Sequence, residues 1–478
     1  MRLFKVAVGN KVITNLQNRL CVFSPINNKV FGVIPKVESS KELNLIFQHA
    51  KKHFYEFQKT SFQYRKKILL NFVELLKQKK EDLVNILIWE IAKNKKLALE
   101  EIERTINYIE ETIDEYKNII KNNNRVIDES IHHIKGKQGN FSLQPLGVVL
   151  AITPFNYPLN LLIAKIVPAL ISGNVVVFKP STQGACIAAY ISTLLYKAGF
   201  SNGEISCVIG KGSEIGDTLI ENHNIDMISF TGSTKVGIHI AKKQPLIPMV
   251  LELGGKDAAI VLEDVNIKKV VKEIIKGAFT YNGQRCTSIK RVFVDNKIKK
   301  EFLDEMNFQL KFLTIGSAAK GNYDITELID KEAVIHNLKL LEDAFYHGAK
   351  SAQKVKIVGN NILKPIVLFN VSDNAKIIKE EQFGPVLPIM FFDTIEEAIK
   401  MTNSSKFGLQ ASIFTKKIDL AFEIANKLEV VTVNINKSSS RSPDIFPFGG
   451  IKHSGKGLQG IRESILSMNR IKGIIENS

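Results

Sequence analysis

From Gly147 onward the chain alternates short, β-branched, largely uncharged runs with segments of helical periodicity. GVVLAIT, NVVVFKP, ISCVIG and IDMISFTG are separated by LNLLIAKIVPALISG, CIAAYISTLLYKAG and SEIGDTLIENH. Strands that are apolar on both faces and separated by amphipathic helices imply a parallel sheet covered on both sides, which predicts a Rossmann-like α/β unit. A second series begins near Leu251, where AAIVLED, RVFVD, PIVLFN, VLPIMFF and VVTVNIN alternate with helical segments at Val265 to Phe279, Ile298 to Leu313 and Ile395 to Met401. A second α/β domain is the simplest arrangement. Before Gly147 the period differs. Ser40 to Phe57, Tyr64 to Gln78 and one run from Glu81 through Lys117 space apolar residues three and four apart among Lys and Glu, as helices do. ESIHHIKGKQGNFSLQPLG (129–147) reads as an extended, partly polar hairpin, an arm whose edge another subunit can cover.

At 478 residues, with 45% hydrophobic and 24% charged, the chain has room for about three domains and the make-up of a folded soluble protein. Disorder, collagen and coiled coil do not fit. Lys and Arg number 65 against 48 Asp and Glu, a net charge of +17 that favours anionic partners. The lysines are spread without a basic stripe interleaved with aromatics, so they read as solvated surface and nucleic-acid binding is not expected. Cys21, Cys186, Cys207 and Cys286 are far apart and never in CxxC, and the nine histidines form no HExxH. That pattern fits a reducing, cytoplasmic setting without a metal site. The N-terminal residues are too polar for a signal peptide. Gln138 to Ala164 carries no charge, but Pro154, Asn156, Pro158 and Asn160 interrupt it, so no membrane span is expected.

Several short motifs carry residue types suited to chemistry. In FTGSTKVG, Gly232 and Gly237 form a GxxxxG at a strand-to-helix turn, where backbone N–H groups meet a diphosphate or where glycine serves the turn itself. Cys286 in YNGQRCTS is the one cysteine in a polar, Gly-containing loop, and Arg285 beside it would favour the thiolate. Glu252 in LELGGK ends an apolar strand at a crevice edge, placed for a general base or for a structural ion pair. Asn156 in PFNYP, at the end of the first parallel strand, is either an oxyanion donor or a turn former. Lys179 and Thr182 in FKPST suit a phosphate or ribose, or else a surface cation and an N-cap. Glu381 and Phe383 in EEQFGP fit a loop as well as a nucleotide clamp.

Taken in order, PFNYP, FKPS, FTGST, LELGGKD, GQRCT, EEQFGPV and PFGGIKHSGKG resemble the aldehyde dehydrogenase superfamily over nearly the whole chain. Within it, AITPFNYPLNL, STQG, VIGKGSEIGD, NGQRCTSIKRV, GLQASIFT and SRSPDIFPFGG are most similar to the NADP-dependent, non-phosphorylating glyceraldehyde-3-phosphate dehydrogenases. The resemblance implies an α/β fold with a Rossmann-like cofactor domain (1–126 and 146–252), an α/β catalytic domain (253–455) and a β-hairpin oligomerisation region (127–145 and 456–478), assembled as a homotetramer. It also implies roles. Cys286 would be the nucleophile, Glu252 the base for deacylation, and Asn156, with the Cys286 N–H, the oxyanion hole. Thr153, Lys179, Thr182, Asp217, Gly232, Ser233 and Gly237 would serve the adenosine and phosphate end of the cofactor, and Glu381 and Phe383 its nicotinamide end. Arg104, Tyr157, Arg285 and Arg441 would receive a small phosphorylated aldehyde.

Arg supplies only ten of the 65 basic residues, and planar guanidinium forks suit a phosphate dianion, so arginines in IERT, QRCT and SRSP stand out. The resemblance places Thr182 where NAD-selective relatives commonly carry Glu. A neutral side chain there leaves the 2′-phosphate of NADP unopposed, favouring NADP with NAD still possible. The Ser-rich stretch before Arg441, with Pro443 and Ile445 after it, departs from the subfamily pattern at the substrate entrance. Competing readings are another semialdehyde dehydrogenase, such as one for succinic semialdehyde, a CoA-acylating relative, which usually lacks the basic Glu, and a non-catalytic or nucleic-acid-binding protein that kept the fold.

Overall fold

The computed structural model describes residues 1–8, 11–13, 17–37, 39–122, 125–127, 136–200, 203–441 and 443–477. Helical spacing in the first third becomes α1 (Ser40–Phe57), α2 (Phe62–Gln78), α3 (Lys80–Ile91) and α4 (Lys95–Asn122). Ser39 and Ser61 cap the first two through their side-chain oxygens. The run expected to continue from Glu81 to Lys117 is cut in two. Ala92 ends α3 in the left-handed region with φ 51°, and the Asn94 side chain accepts the Leu97 N–H at 2.8 Å to open α4. Apolar spacing runs straight through this break, and IAKNKK contains neither Gly nor Pro, so periodicity alone does not reveal it. Ahead of α1 lie short strands, among them Val6–Val8, Arg19–Phe23 and Val30–Pro35. Their brief sequences offer too little alternation to signal strands.

The first parallel sheet contains β1 (Val148–Thr153), β2 (Val175–Pro180), β3 (Ile205–Cys207), β4 (Met227–Thr231) and β5 (Met249–Glu252). Its spatial order is β5-β4-β1-β2-β3, with Gly455–Lys456 antiparallel outside β5 and Val6–Val8 antiparallel outside β3. The connections diverge between β1 and β4, which is where open α/β sheets hold their ligands. The continuous apolar character of these strands is explained by burial on both faces: Val148 to Ala151 and Val175 to Phe178 are all inaccessible.

The second sheet contains β6 (Ala258–Val261), β7 (Arg291–Asp295), β8 (Ile366–Leu368), β9 (Val386–Phe392), β10 (Gln410–Phe414) and β11 (Thr432–Ile435), all parallel, in the order β8-β9-β7-β6-β10-β11. Alternate side chains serve two cores. Ala259, Val261, Val292 and Val294 pack against the helix Ile267–Phe279, whereas Ala258, Ile260 and Phe293 pack toward Ala398, Ala421 and Ile424.

The expected hairpin at 129–147 lies partly outside the described residues. Its described limb, Lys137–Pro145, is the centre of a three-stranded antiparallel sheet, paired along nine residues with Asn469–Asn477 and also with Arg125–Ile127. Among the described residues no helix is long and apolar enough to cross a membrane.

Candidate active site

A cavity of about 750 Å³ opens at the carboxyl ends of β1, β2 and β4. Thr153 and Asn156 follow β1, Lys179 and Thr182 end and follow β2, and Gly232 and Ser233 follow β4; all six line it, together with Asp217, Cys286, Glu381 and Phe383. The Thr153 hydroxyl is buried there without a hydrogen-bond partner. Lys179 reaches only the Pro180 carbonyl, at 3.0 Å, and burial pushes its ammonium down to about 8. Ser233 caps the helix Thr234–Lys243, whose N-terminus therefore faces the cavity beside Gly232. Asp217 is tied at the mouth to His239 by a 2.7 Å contact that holds its carboxyl below the usual range. An orphan hydroxyl, a buried cation short of partners and a helix N-terminus are a donor set that fits the ribose and phosphates of a dinucleotide.

Gly237 does not reach this cavity. It is buried in the first turn of the same helix, where a Cβ would overlap the Leu253 side chain, so close packing requires glycine there.

Cys286 is carried on a loop whose backbone is held in an unusual conformation. Tyr281, Asn282 and Gly283 are successive left-handed residues with φ 52°, 58° and 73°. For the two non-glycine residues that costs about 1–3 kcal/mol each. Buried hydrogen bonds hold them there: the Tyr281 hydroxyl donates to the Ile91 carbonyl at 2.8 Å, while Asn282 donates to the Glu327 carbonyl at 2.9 Å and accepts the Thr326 N–H at 2.8 Å. A Cβ on Gly283 would lie 2.6 Å from the Gly384 oxygen. The loop delivers Cys286, half-buried, to the cavity wall, and the Asn156 amide donates to the adjacent Gln284 carbonyl at 3.0 Å. The expected nucleophile and oxyanion donor therefore share one wall.

Burial pushes the Cys286 thiol up to about 11, with the Glu252 carboxylate adding to the rise and Lys290 and Arg441 opposing it. Arg285 is not the cation that favours the thiolate, contrary to the expectation from its position in sequence. Its Nη2 donates to the Gly277 carbonyl at 2.5 Å and its Nε is without a partner. Lys290, 1% exposed, takes that place, donating to the carbonyls of Cys286 at 2.7 Å and Arg285 at 3.0 Å and pairing with Glu381 at 3.0 Å.

Glu252 lies behind the wall rather than on it. Thr231 Oγ1 donates to its Oε2 at 2.8 Å, and Arg441 Nη1 lies 3.0 Å from Oε1 and 3.1 Å from Oε2. Arg441 also donates to Gln459 Oε1 at 2.6 Å and lines a second cavity of about 210 Å³ with Asp444. Arg104 from α4 forms a fork on Asp444, 2.7 Å from Oδ2 and 2.6 Å from Oδ1, and also donates to the Arg441 carbonyl. Tyr157 stacks edge-on to Tyr281 and beneath the Lys93 ammonium at 3.8 Å, close enough to Arg285 and Arg104 for both to act on its acidity. The four residues expected at the substrate end are thus neighbours.

The aldehyde dehydrogenase family profile matches residues 13–474. The chain belongs to the aldehyde dehydrogenase family. It is 39% identical over 456 residues to the NADP-dependent glyceraldehyde-3-phosphate dehydrogenase of Streptococcus equinus, covering 95% of this chain and 94% of that protein. It is 41% identical over 440 residues to the enzyme of that name from Pisum sativum, covering 92% and 88%. The crystal structure of NADP-dependent glyceraldehyde-3-phosphate dehydrogenase from Bacillus halodurans C-125, complexed with NADP, superimposes with a TM-score of 0.95 at 41% identity, covering 100% of this chain and 99% of that one.

In this aldehyde dehydrogenase, four residues at the site escaped the sequence reading. Lys93 and Glu101 form a fully buried ion pair that grips the PFNYP loop: Lys93 donates to the Asn156 carbonyl at 2.8 Å, and Glu101 accepts the N–H groups of Leu159 and Asn160 at 3.0 and 3.1 Å. Lys290 and Asp444 are the other two. Lys290 sits four residues after Cys286 in CTSIK, a spacing that could have drawn notice; nothing in the surrounding sequence marks the rest.

Proposed function

We propose that this aldehyde dehydrogenase oxidises D-glyceraldehyde 3-phosphate to 3-phosphoglycerate with NADP, through a cysteine thioester that water hydrolyses. The observation that carries the proposal is the convergence of Cys286 and Asn156 on one wall of a cavity whose far end offers Lys179 and a neutral Thr182, with Arg104, Arg285, Arg441 and Tyr157 clustered nearby. The names of the relatives support both the substrate and the cofactor.

Attack begins when the Cys286 thiolate adds to the aldehyde carbon, and the alkoxide that forms is stabilised by the Asn156 amide and the Cys286 N–H. NADP, when bound, supplies the hydride acceptor that converts the thiohemiacetal to a thioester. Lys179, Thr182, Thr153 and Ser233 would hold its ribose and phosphates, with Glu381 and Phe383 at the nicotinamide end. Glu252 then takes a proton from water as the water oxygen bonds to the thioester carbon; the carbon–sulfur bond breaks and the thiolate is regenerated. The presence of Glu252 supports hydrolysis over transfer to a thiol such as CoA. Arg285, with an unpartnered Nε, and the Arg104 and Arg441 guanidiniums supply donors for the substrate phosphate.

The two parallel sheets would then act as cofactor and catalytic domains, with the sheet built on Lys137–Pro145 and Asn469–Asn477 as the oligomer contact. Ile471, Ile474 and Ile475 are 72%, 62% and 61% exposed on that outer strand, which supports a homo-oligomer, a tetramer in the family pattern. Cys21, Cys186, Cys207 and Cys286 are free thiols, in keeping with a cytoplasmic setting. The test is reduced-cofactor formation from glyceraldehyde 3-phosphate, without added phosphate, with NADP and NAD in parallel and succinic semialdehyde as the rival substrate. Turnover of glyceraldehyde 3-phosphate with NADP should exceed every other pair; preference for the semialdehyde would overturn the substrate assignment.

A further inference from the structure

Glu252 is 4% exposed and does not line the cavity that holds Cys286, although Thr231 before it and Leu253 and Gly254 after it do. Its Oε2 accepts hydrogen bonds from the Thr231 hydroxyl and from Arg441 Nη1, whereas its Oε1, which has no hydrogen-bond partner, lies 3.0 Å from the same guanidinium nitrogen. Outside the cavity and turned to Arg441, the carboxylate has to leave that guanidinium before its free oxygen can be aimed at a water next to a Cys286 thioester. Arg441 in turn belongs to an alternating chain of charges, Glu252, Arg441, Asp444 and Arg104, in which two guanidiniums meet two carboxylates.

The links of that chain are unequal. Arg104 is bound to Asp444 through two contacts of 2.6 and 2.7 Å and also to the Arg441 backbone. Arg441 meets Glu252 through a single nitrogen, 3.0 and 3.1 Å from its two oxygens, gives its other terminal nitrogen to the neutral Gln459 amide oxygen at 2.6 Å, and lies 3.9 Å from Asp444. The one-nitrogen link to Glu252 is therefore exchanged for an arriving anion more easily than the two-nitrogen fork of Arg104 on Asp444. When it is, Glu252 loses its nearest cation but not all of them: buried Lys165, bonded to Ser229 at 3.3 Å, is close enough to feel the Glu252 charge. The freed carboxylate can then swing toward the cavity.

Resting on the reading of Glu252 as the hydrolytic base, we propose that Arg441 is a latch on Glu252, released when the anionic group of the substrate takes its guanidinium, so that thioester hydrolysis is coupled to occupation of the anion subsite. Once Glu252 is released the water oxygen bonds to the acyl carbon, its proton passes to the Glu252 carboxylate, the carbon–sulfur bond breaks and Cys286 leaves as thiolate. Coupling of this kind is reciprocal: whatever frees Glu252 also strengthens anion binding. An uncharged aldehyde would acylate Cys286 but leave the latch closed. Arg441 is thus a positioning residue for the base as well as a contact for the anion.

The test uses full-length enzyme with NADP and propanal, an uncharged aldehyde, reading the burst of reduced cofactor separately from the steady-state rate. In the wild type the steady-state rate should be slow relative to the burst, and inorganic phosphate should accelerate it. In Arg441→Met the steady-state rate on propanal should rise several-fold above the wild type and lose its response to phosphate, while KM for glyceraldehyde 3-phosphate increases. A steady-state rate at or below that of the wild type, in a variant whose thermal unfolding midpoint is unchanged, overturns the latch. If the variant is destabilised, the phosphate titration of the wild type decides, and no acceleration overturns it. Oxidation of glyceraldehyde 3-phosphate by the wild type in the same assay reports on the proposed substrate independently, because the propanal arms do not depend on it.

Discussion

At the proposed cofactor end of the site the wall carries groups with spare bonding capacity, the Thr153 hydroxyl with no partner and the Lys179 ammonium with one carbonyl, whereas at the proposed substrate end four charged groups are already matched, Glu252 with Arg441 and Arg104 with Asp444. The first region gains bonds when a ligand arrives; the second must exchange one set for another. Buried polar groups without partners are costly, so the cofactor end is paid in advance for binding. The matched charges keep the substrate end stable when empty but make its chemistry conditional on rearrangement.

Changes at the shared wall and at the carboxylate behind it should have the largest effects. Cys286→Ala removes the bond-forming atom and should lower kcat on the order of 10⁴-fold or more, with NADP binding retained in a fluorescence titration. Glu252→Gln should separate the two halves of the reaction: the burst of reduced cofactor persists while the steady-state rate falls by about 10²–10⁴. Loss of the burst as well would place Glu252 in acylation and undo the contrast between the two regions. Asn156→Ala should reduce kcat by ~10²–10³ with the unfolding midpoint little changed, as expected for loss of one oxyanion donor.

The sheets were legible because burial on both faces writes uninterrupted apolar runs such as NVVVFKP, and the helices that cover them show their period. The break at Ala92 was not, since a left-handed alanine is imposed by the tertiary contacts around it rather than by local composition. The groups on the cavity wall were legible as motifs, because each sits at a strand end or on a loop with its own turn residues. The partners that set their chemistry were hidden by distance along the chain. Glu252 and Arg441 are 189 residues apart, and Arg104 and Asp444 are 340 apart, so no local pattern announces either pair. Adjacency misled in the opposite direction: Arg285 is next to Cys286 in sequence yet turns toward Gly277, and Lys290 supplies the neighbouring cation.

Lys179 tests the cofactor end. Because burial holds its ammonium near 8 in the free enzyme, binding a phosphate dianion requires the protonated form, and above that pH a proton must be taken up with the ligand. NADP affinity should be flat below about pH 8 and weaken toward tenfold per pH unit above it, with a shallower trend for NAD. Lys179→Met should abolish that slope and weaken NADP by about 10- to 100-fold, the range for a charge-assisted hydrogen bond. An unchanged slope in the variant would mean that Lys179 is not the titrating group.

The smallest effect concerns the thiol itself. With its acidity near 11 in the free enzyme, Cys286 is almost wholly protonated at neutral pH, and only the thiolate reacts with iodoacetamide. Inactivation without cofactor should therefore accelerate about tenfold per pH unit through the neutral range and level off only near 11. Lys290 and Arg441 both oppose the rise, but from different regions: Lys290 is tied to the loop and to Glu381, Arg441 to Glu252. Lys290→Met removes a cation and leaves the Glu252 pair intact, so the profile should move to higher pH. Arg441→Met removes a cation and also leaves Glu252 uncompensated near the sulfur, so its profile should move further in the same direction. Equal displacement in the two variants would mean that the paired carboxylate does not reach the thiol electrostatically, and the matched charges would then bear on hydrolysis alone.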